Sequence, residues 1–219
     1  MRFPDAYKGT KKILIGQIMV LIAAVFGLAM SSLSFVPEIQ EEGSWAMVVA
    51  AILLVLTAII TIVGFIMELV GVRQGGNDSS YYAVAFWIII ITIVLSIITS
   101  IFQASLKENH PVVYAIFEVL SDVAMVLVTV YVLCGIARLA EKLSIRKMAS
   151  TGRGLALFVT LLYIGATTLS TIPNFAKNPS EAFAATFDTL SFVASVLTLV
   201  ISVLVFIYLI FAVKMLKKH

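Results

Sequence analysis

Apolar residues run almost unbroken through six stretches of this chain, at about 13–35, 46–71, 83–104, 111–137, 154–172 and 183–213. Each is close to or longer than the roughly 20 residues that an α-helix needs to cross the hydrocarbon core. The pattern predicts an all-α fold, a polytopic integral membrane bundle of six helices in a single transmembrane domain spanning residues 1–219. The leading segment MRFPDAYKGTKK is basic and precedes an apolar run, as in a signal peptide. That run is much longer than the about 7–15 residues of a signal sequence, so it is expected to be the first span.

Polar residues inside the spans follow helical spacing. In span six Asp188, Ser191, Ser195, Thr198 and Ser202 recur at intervals of three and four, which places them on one helix face. Thr92, Ser96, Thr99, Ser100 and Gln103 do the same in span three, and Tyr163, Thr167, Ser170, Thr171 and Asn174 in span five. Span four contributes Glu118, Ser121, Asp122 and, deeper, Thr129. The segments FEVLSDVAMVL from Phe117 and FDTLSFVASVL from Phe187 align, with Asp188 in the place of Glu118, and the spans before them align in their polar positions. The bundle is therefore expected to be built from duplicated antiparallel hairpins in parallel orientation, with spans one and two as a degenerate third copy.

Composition agrees with the pattern: 61% of the residues are hydrophobic and 12% charged, against about 45–50% and about 25% in a soluble domain. Thirteen of the fifteen Lys and Arg residues fall at the termini or in the even-numbered connections, leaving Lys107 and Lys177 on the other side. By the positive-inside rule both termini are cytoplasmic, in a multi-pass plasma-membrane protein, and the connections near Glu38, Glu108 and Glu181 face out. The acceptor sequence Asn77-Asp78-Ser79 then lies inside and unglycosylated. Cys134 is the only cysteine, so no intrachain disulfide forms.

The candidate chemistry is carboxylate chemistry. Counting from Arg138 puts Glu118 near the outer interface and Asp122 one turn deeper, where an ionised side chain is expected to face the bundle or a wet cavity. Glu118 and Asp122, with Asp188 at the rim, are read as lining an outward-facing polar cleft for a cation, a proton or a small amine-bearing solute. Ser121, Ser96, Thr99, Gln103, Ser170 and Asn174 would supply neutral oxygens. The competing reading makes the acids partners of helix dipoles and the hydroxyl stripes packing devices.

Other positions carry structural expectations. Ala23, Gly27 and Ser31 form a small-residue ridge. Glu68 is expected in an interfacial ion pair with Arg73, Gln17 in a hydrogen bond within the bundle, and His110 in solvent. Arg138, Lys142 and Arg146 recur every four residues in the connection from Arg138 to Arg153, so a helical continuation would present a basic row to anionic headgroups. Membrane lipids are thus expected partners, and a membrane-protein partner or a second copy of the chain is an alternative.

Catalysis has little support. Two histidines and one cysteine cannot form a His/Cys metal cluster, and no H-E-x-x-H or G-x-S-x-G occurs. The turn from Gly71 lacks the ending of a phosphate-binding loop. No cofactor, metal or nucleic acid is implied. The two functions weighed are binding or transport of a cation or solute, and a non-catalytic accessory subunit of a membrane complex.

Overall fold

A computed structural model describes the backbone of residues 2–33, 45–109, 111–175 and 181–219. Within these, side chains are described except at 27–33, 45–47, 102–109, 111–112, 115, 118, 122, 166–175 and 181–198. The described chain is six helices without strands: α1 (Pro4–Leu33), α2 (Trp45–Gly75), α3 (Ser80–Asn109), α4 (Pro111–Lys142), α5 (Arg146–Phe175) and α6 (Glu181–Lys218). All six contain segments long and apolar enough to span a membrane, so the chain is a multi-pass membrane protein by length and composition. Proline opens α1 and α4, where its missing N–H interrupts nothing and its fixed φ suits the first turn.

Each helix packs on its neighbours in the chain, and α1 packs on α6 to close a ring. The Arg2 amide donates to the His219 carbonyl at 2.8 Å, which joins the two termini at one end of the bundle. That end also carries the short α2–α3 and α4–α5 connections and most of the basic residues, and it is termed the basic end below.

The dry core sits at the basic end. Tyr82, Leu133, Ile136, Leu139, Leu209 and Leu216 are fully buried there. Away from it burial declines, and α2 has no buried residue between positions 48 and 63. Such a helix, apolar on every side, meets lipid or other helices with any face.

Small residues set the spacing of the core. A Cβ on Gly16 would lie 2.6 Å from the Gly64 carbonyl oxygen, and one on Gly71 2.6 Å from that of Gly9, so α1 and α2 touch backbone to backbone. The Tyr82 ring slots between Gly75 of α2 and Gly135 of α4, where added Cβ atoms would lie 2.6 and 2.8 Å from it. Its hydroxyl meets Thr10 Oγ1 at 2.8 Å. Because Thr10 donates its own proton to the Ala6 carbonyl at 2.7 Å, Tyr82 is the donor in that pair.

The connections are tighter than the sequence reading. α4 continues to Lys142 and α5 starts at Arg146, so the expected connection from Arg138 to Arg153 is mostly helix. Ser144, with φ 61°, ends α4: its amide donates to Glu141 and that of Ile145 to Ala140, both at 2.8 Å. This is the paired bonding of a Schellman cap, with serine in the left-handed position that glycine usually takes. At the α2–α3 turn the Asp78 carboxylate accepts from the Ala6 amide at 2.7 Å and so caps α1, while Asn77 donates to Asp5.

The proposed equivalence of the α3–α4 and α5–α6 hairpins rests largely on residues 166–198, whose side chains all lie outside the described set, and it stays a feature of the sequence.

Candidate functional site

Glu68 lies on α2 about 8 Å, or one and a half turns, further into the bundle than Arg73. Its Oε1 accepts a hydrogen bond from Gln17 Nε2 of α1 at 2.6 Å. The expected ion pair with Arg73 is therefore corrected: the partner of Glu68 is a neutral amide, and Arg73 is exposed. Gln17 takes its expected role as a hydrogen-bonding residue inside the bundle. Glycine makes the pairing possible. A side chain at position 16 would collide with the Glu68 Cγ as well as with the Gly64 carbonyl, so Gly16 both draws the helices together and leaves room for the carboxylate stem.

Glu68 and Gln17 face an internal cavity of about 40 Å³, lined also by Thr129 of α4, Ile89 of α3 and Val205 and Leu209 of α6. A water needs about 10–15 Å³ of such space, so this volume holds a few waters or a small ion with part of its shell. The polar groups in its wall are all oxygen-bearing: the carboxylate, the side-chain carbonyl of Gln17 and the Thr129 hydroxyl. Thr129 makes no hydrogen bond of its own among the described residues, so its oxygen is free to turn to an occupant. Oxygen sets of this kind suit hard cations and protons. Among the described residues no group of three or more His, Cys, Asp or Glu comes together.

A second space lies further from the basic end. A groove of about 610 Å³ opens between α2, α3 and α4, with Thr92, Ser96, Ser100 and Ser121 among apolar walls formed by residues such as Phe65 and Met125. It arises because α2 hugs α1 and makes far fewer contacts with α3. Ile89, 3% exposed, lines both the groove and the inner cavity and forms the wall between them.

Of the residues expected at an outward polar cleft, Ser96 and Ser121 come together in this groove. Thr99 does not line it; its hydroxyl donates to the Leu95 carbonyl of its own helix at 2.8 Å. Asp122 and Glu118 lie on α4 beside and above Ser121, Asp188 lies on α6, Gln103 on α3, and Ser170 and Asn174 on α5. The side chains of these six are outside the described residues.

The expected headgroup row is broken. Arg146 starts a new helix after the Schellman cap, so Arg138, Lys142 and Arg146 do not form one continuous face. Arg138 pairs with Glu141 at 3.2 Å, Arg153 pairs with the same carboxylate, and Lys142 sits 5.7 Å above the Phe3 ring. No protein-family model, curated protein or solved structure matches the chain.

Proposed function

We propose that this protein binds a proton or a small inorganic cation at Glu68, inside the membrane, from the side opposite its termini. The observation that carries the reading is the Glu68–Gln17 pair facing a small, mostly apolar cavity without an arginine or lysine in its lining. A carboxylate in that setting either takes up a proton or holds a counter-ion, because an uncompensated charge inside the hydrocarbon is costly. The cavity is too small for an organic amine, which narrows the class to inorganic cations and protons.

Several features support access from one side. The groove that carries Thr92, Ser96, Ser100 and Ser121 among its apolar walls leads inward to Ile89. Toward the basic end from Glu68, Tyr82 and Thr10 are fully buried in the core, which supports access from the opposite side. Transport across the membrane would then require the basic end to open.

The sealed core also favours a second reading, in which the protein is a non-catalytic accessory subunit and the Glu68–Gln17 pair only fixes the hairpin. The two readings separate on a thermal-shift experiment with purified protein. Binding predicts that lithium, sodium or potassium raises Tm in a saturable manner at constant ionic strength, with choline as the bulky control, or that Tm tracks proton concentration. It also predicts that Glu68→Gln abolishes the response. An unchanged response in that variant removes the binding reading.

A further inference from the structure

Between the basic-end halves of α5 and α6 lies a groove of about 490 Å³ that plays no part in the Glu68 site. Its α5 wall presents Lys147, Thr151 and Leu155, spaced at four residues and so on one helix face. Its α6 wall presents Leu204, Ile207 and Phe211, which are 40%, 43% and 56% exposed. Lys214 follows Ile207 and Phe211 at seven and three residues, so it continues the same α6 face toward the basic end. The groove is thus polar and cationic at one end and apolar along the rest.

Its charge is uncompensated. No carboxylate lines it, and Glu141 is committed to Arg138 and Arg153. Glu141 belongs to a different depression, shared with Arg146, Ser150 and Leu157 on another face of α5. Lys147 and Lys214 are both exposed. From Lys147 to Leu155 the groove runs about 12 Å, and from Lys214 to Leu204 about 15 Å. These lengths match one leaflet of a hydrocarbon core about 30 Å thick.

We propose that this groove holds one anionic phospholipid of the leaflet at the basic end. The phosphate sits between the ammonium groups of Lys147 and Lys214 and accepts a hydrogen bond from the Thr151 hydroxyl. One acyl chain lies along Leu155, Leu204 and Ile207 with Phe211 at its flank. Two point charges with no acid beside them select a headgroup of net negative charge over a zwitterionic one.

The test is native mass spectrometry of the full chain in detergent, titrated with phosphatidylglycerol or with phosphatidylcholine of the same acyl chains. One tightly retained phosphatidylglycerol is expected, with phosphatidylcholine at least tenfold weaker. Lys147→Gln and Lys214→Gln should each weaken binding about fivefold, and the pair about 25-fold, from the usual contribution of a basic residue near an anionic surface. Leu155→Trp, which fills the apolar part and leaves the charge intact, should weaken it as well. Arg146→Gln with Lys8→Gln removes two charges from the same end outside the groove and should change binding less than twofold.

Equal binding of the two lipids, or equal loss in the two double variants, would overturn the proposal in favour of unspecific surface attraction. Displacement by soluble glycerol phosphate at the concentration effective for the lipid would show a headgroup site without a chain, and would overturn it too.

Discussion

Gln17 and Glu68 lie 2.6 Å apart across two helices that touch through Gly16 and Gly64. The hydrogen bond and the glycine contact depend on each other. Without the close approach the amide cannot reach the carboxylate, and without the hydrogen bond the carboxylate has no protein donor among the described residues. Thr129 is the third polar residue in the lining of the small cavity beside them, which is otherwise apolar.

Gly16→Ala should therefore destabilise the protein, by about 1–3 kcal/mol as overpacking does. Gly154 is the control: nothing lies within 4 Å of a Cβ built there. Gly154→Ala should leave stability unchanged or raise it by up to about 1 kcal/mol through the better helix propensity of alanine. Chemical denaturation of the two variants in the same detergent measures both, and a loss at Gly154 equal to that at Gly16 would contradict the contact.

Tyr82 anchors the dry end in two ways, by ring volume and by its hydroxyl. Tyr82→Phe keeps the ring between Gly75 and Gly135 and leaves Thr10 still bonded to Ala6, so a loss of only about 1 kcal/mol is expected. Tyr82→Ala should cost about 3–5 kcal/mol, because the neighbouring helices cannot collapse onto the space. Unfolding midpoints of the two variants should separate clearly, in that order.

Ile89 divides the groove from the inner cavity. In a chain with Cys134→Ala and Thr129→Cys, the new thiol should react slowly with a small water-soluble alkylating reagent. Adding Ile89→Ala should speed the reaction by an order of magnitude or more, at a stability loss of about 2–5 kcal/mol. The rate, measured by mass spectrometry well below the melting temperature, checks the wall; an unchanged rate would mean that the two spaces do not adjoin at Ile89.

The six helices were legible in the sequence because lipid demands a long apolar run for every span, and nothing else in an ordinary chain produces one. Helix partners were harder to read, since inside lipid apolar faces look alike and association depends on close packing. A usable signal was present: Gly9 and Gly16 in α1, and Gly64 and Gly71 in α2, repeat at intervals of seven and meet across the hairpin. The ridge at Ala23, Gly27 and Ser31 drew attention elsewhere on α1; Ala23 is buried, and the other two lie outside the described side chains.

Glu68 looked interfacial because Arg73 is five residues away in the chain, while Gln17 is fifty-one residues away and reaches it only through the fold. The basic row at Arg138, Lys142 and Arg146 looked continuous because Ser144 gives no glycine warning of a left-handed cap. Of the hydroxyl stripe expected on α3, Thr92, Ser96 and Ser100 line a single groove, Thr99 does not, and the Gln103 side chain lies outside the described residues. The groove's depth relative to Glu68 required the tertiary arrangement.

The most direct measurement is infrared difference spectroscopy of the protein in lipid, recorded on adding sodium, potassium or lithium and, separately, on changing pH. Occupation of the cavity predicts a change in the carboxyl bands of the native chain that disappears in Glu68→Gln and survives in Glu141→Gln. The same bands changing in Glu68→Gln, or no carboxyl change under any of these conditions, would contradict a cation or proton site at Glu68.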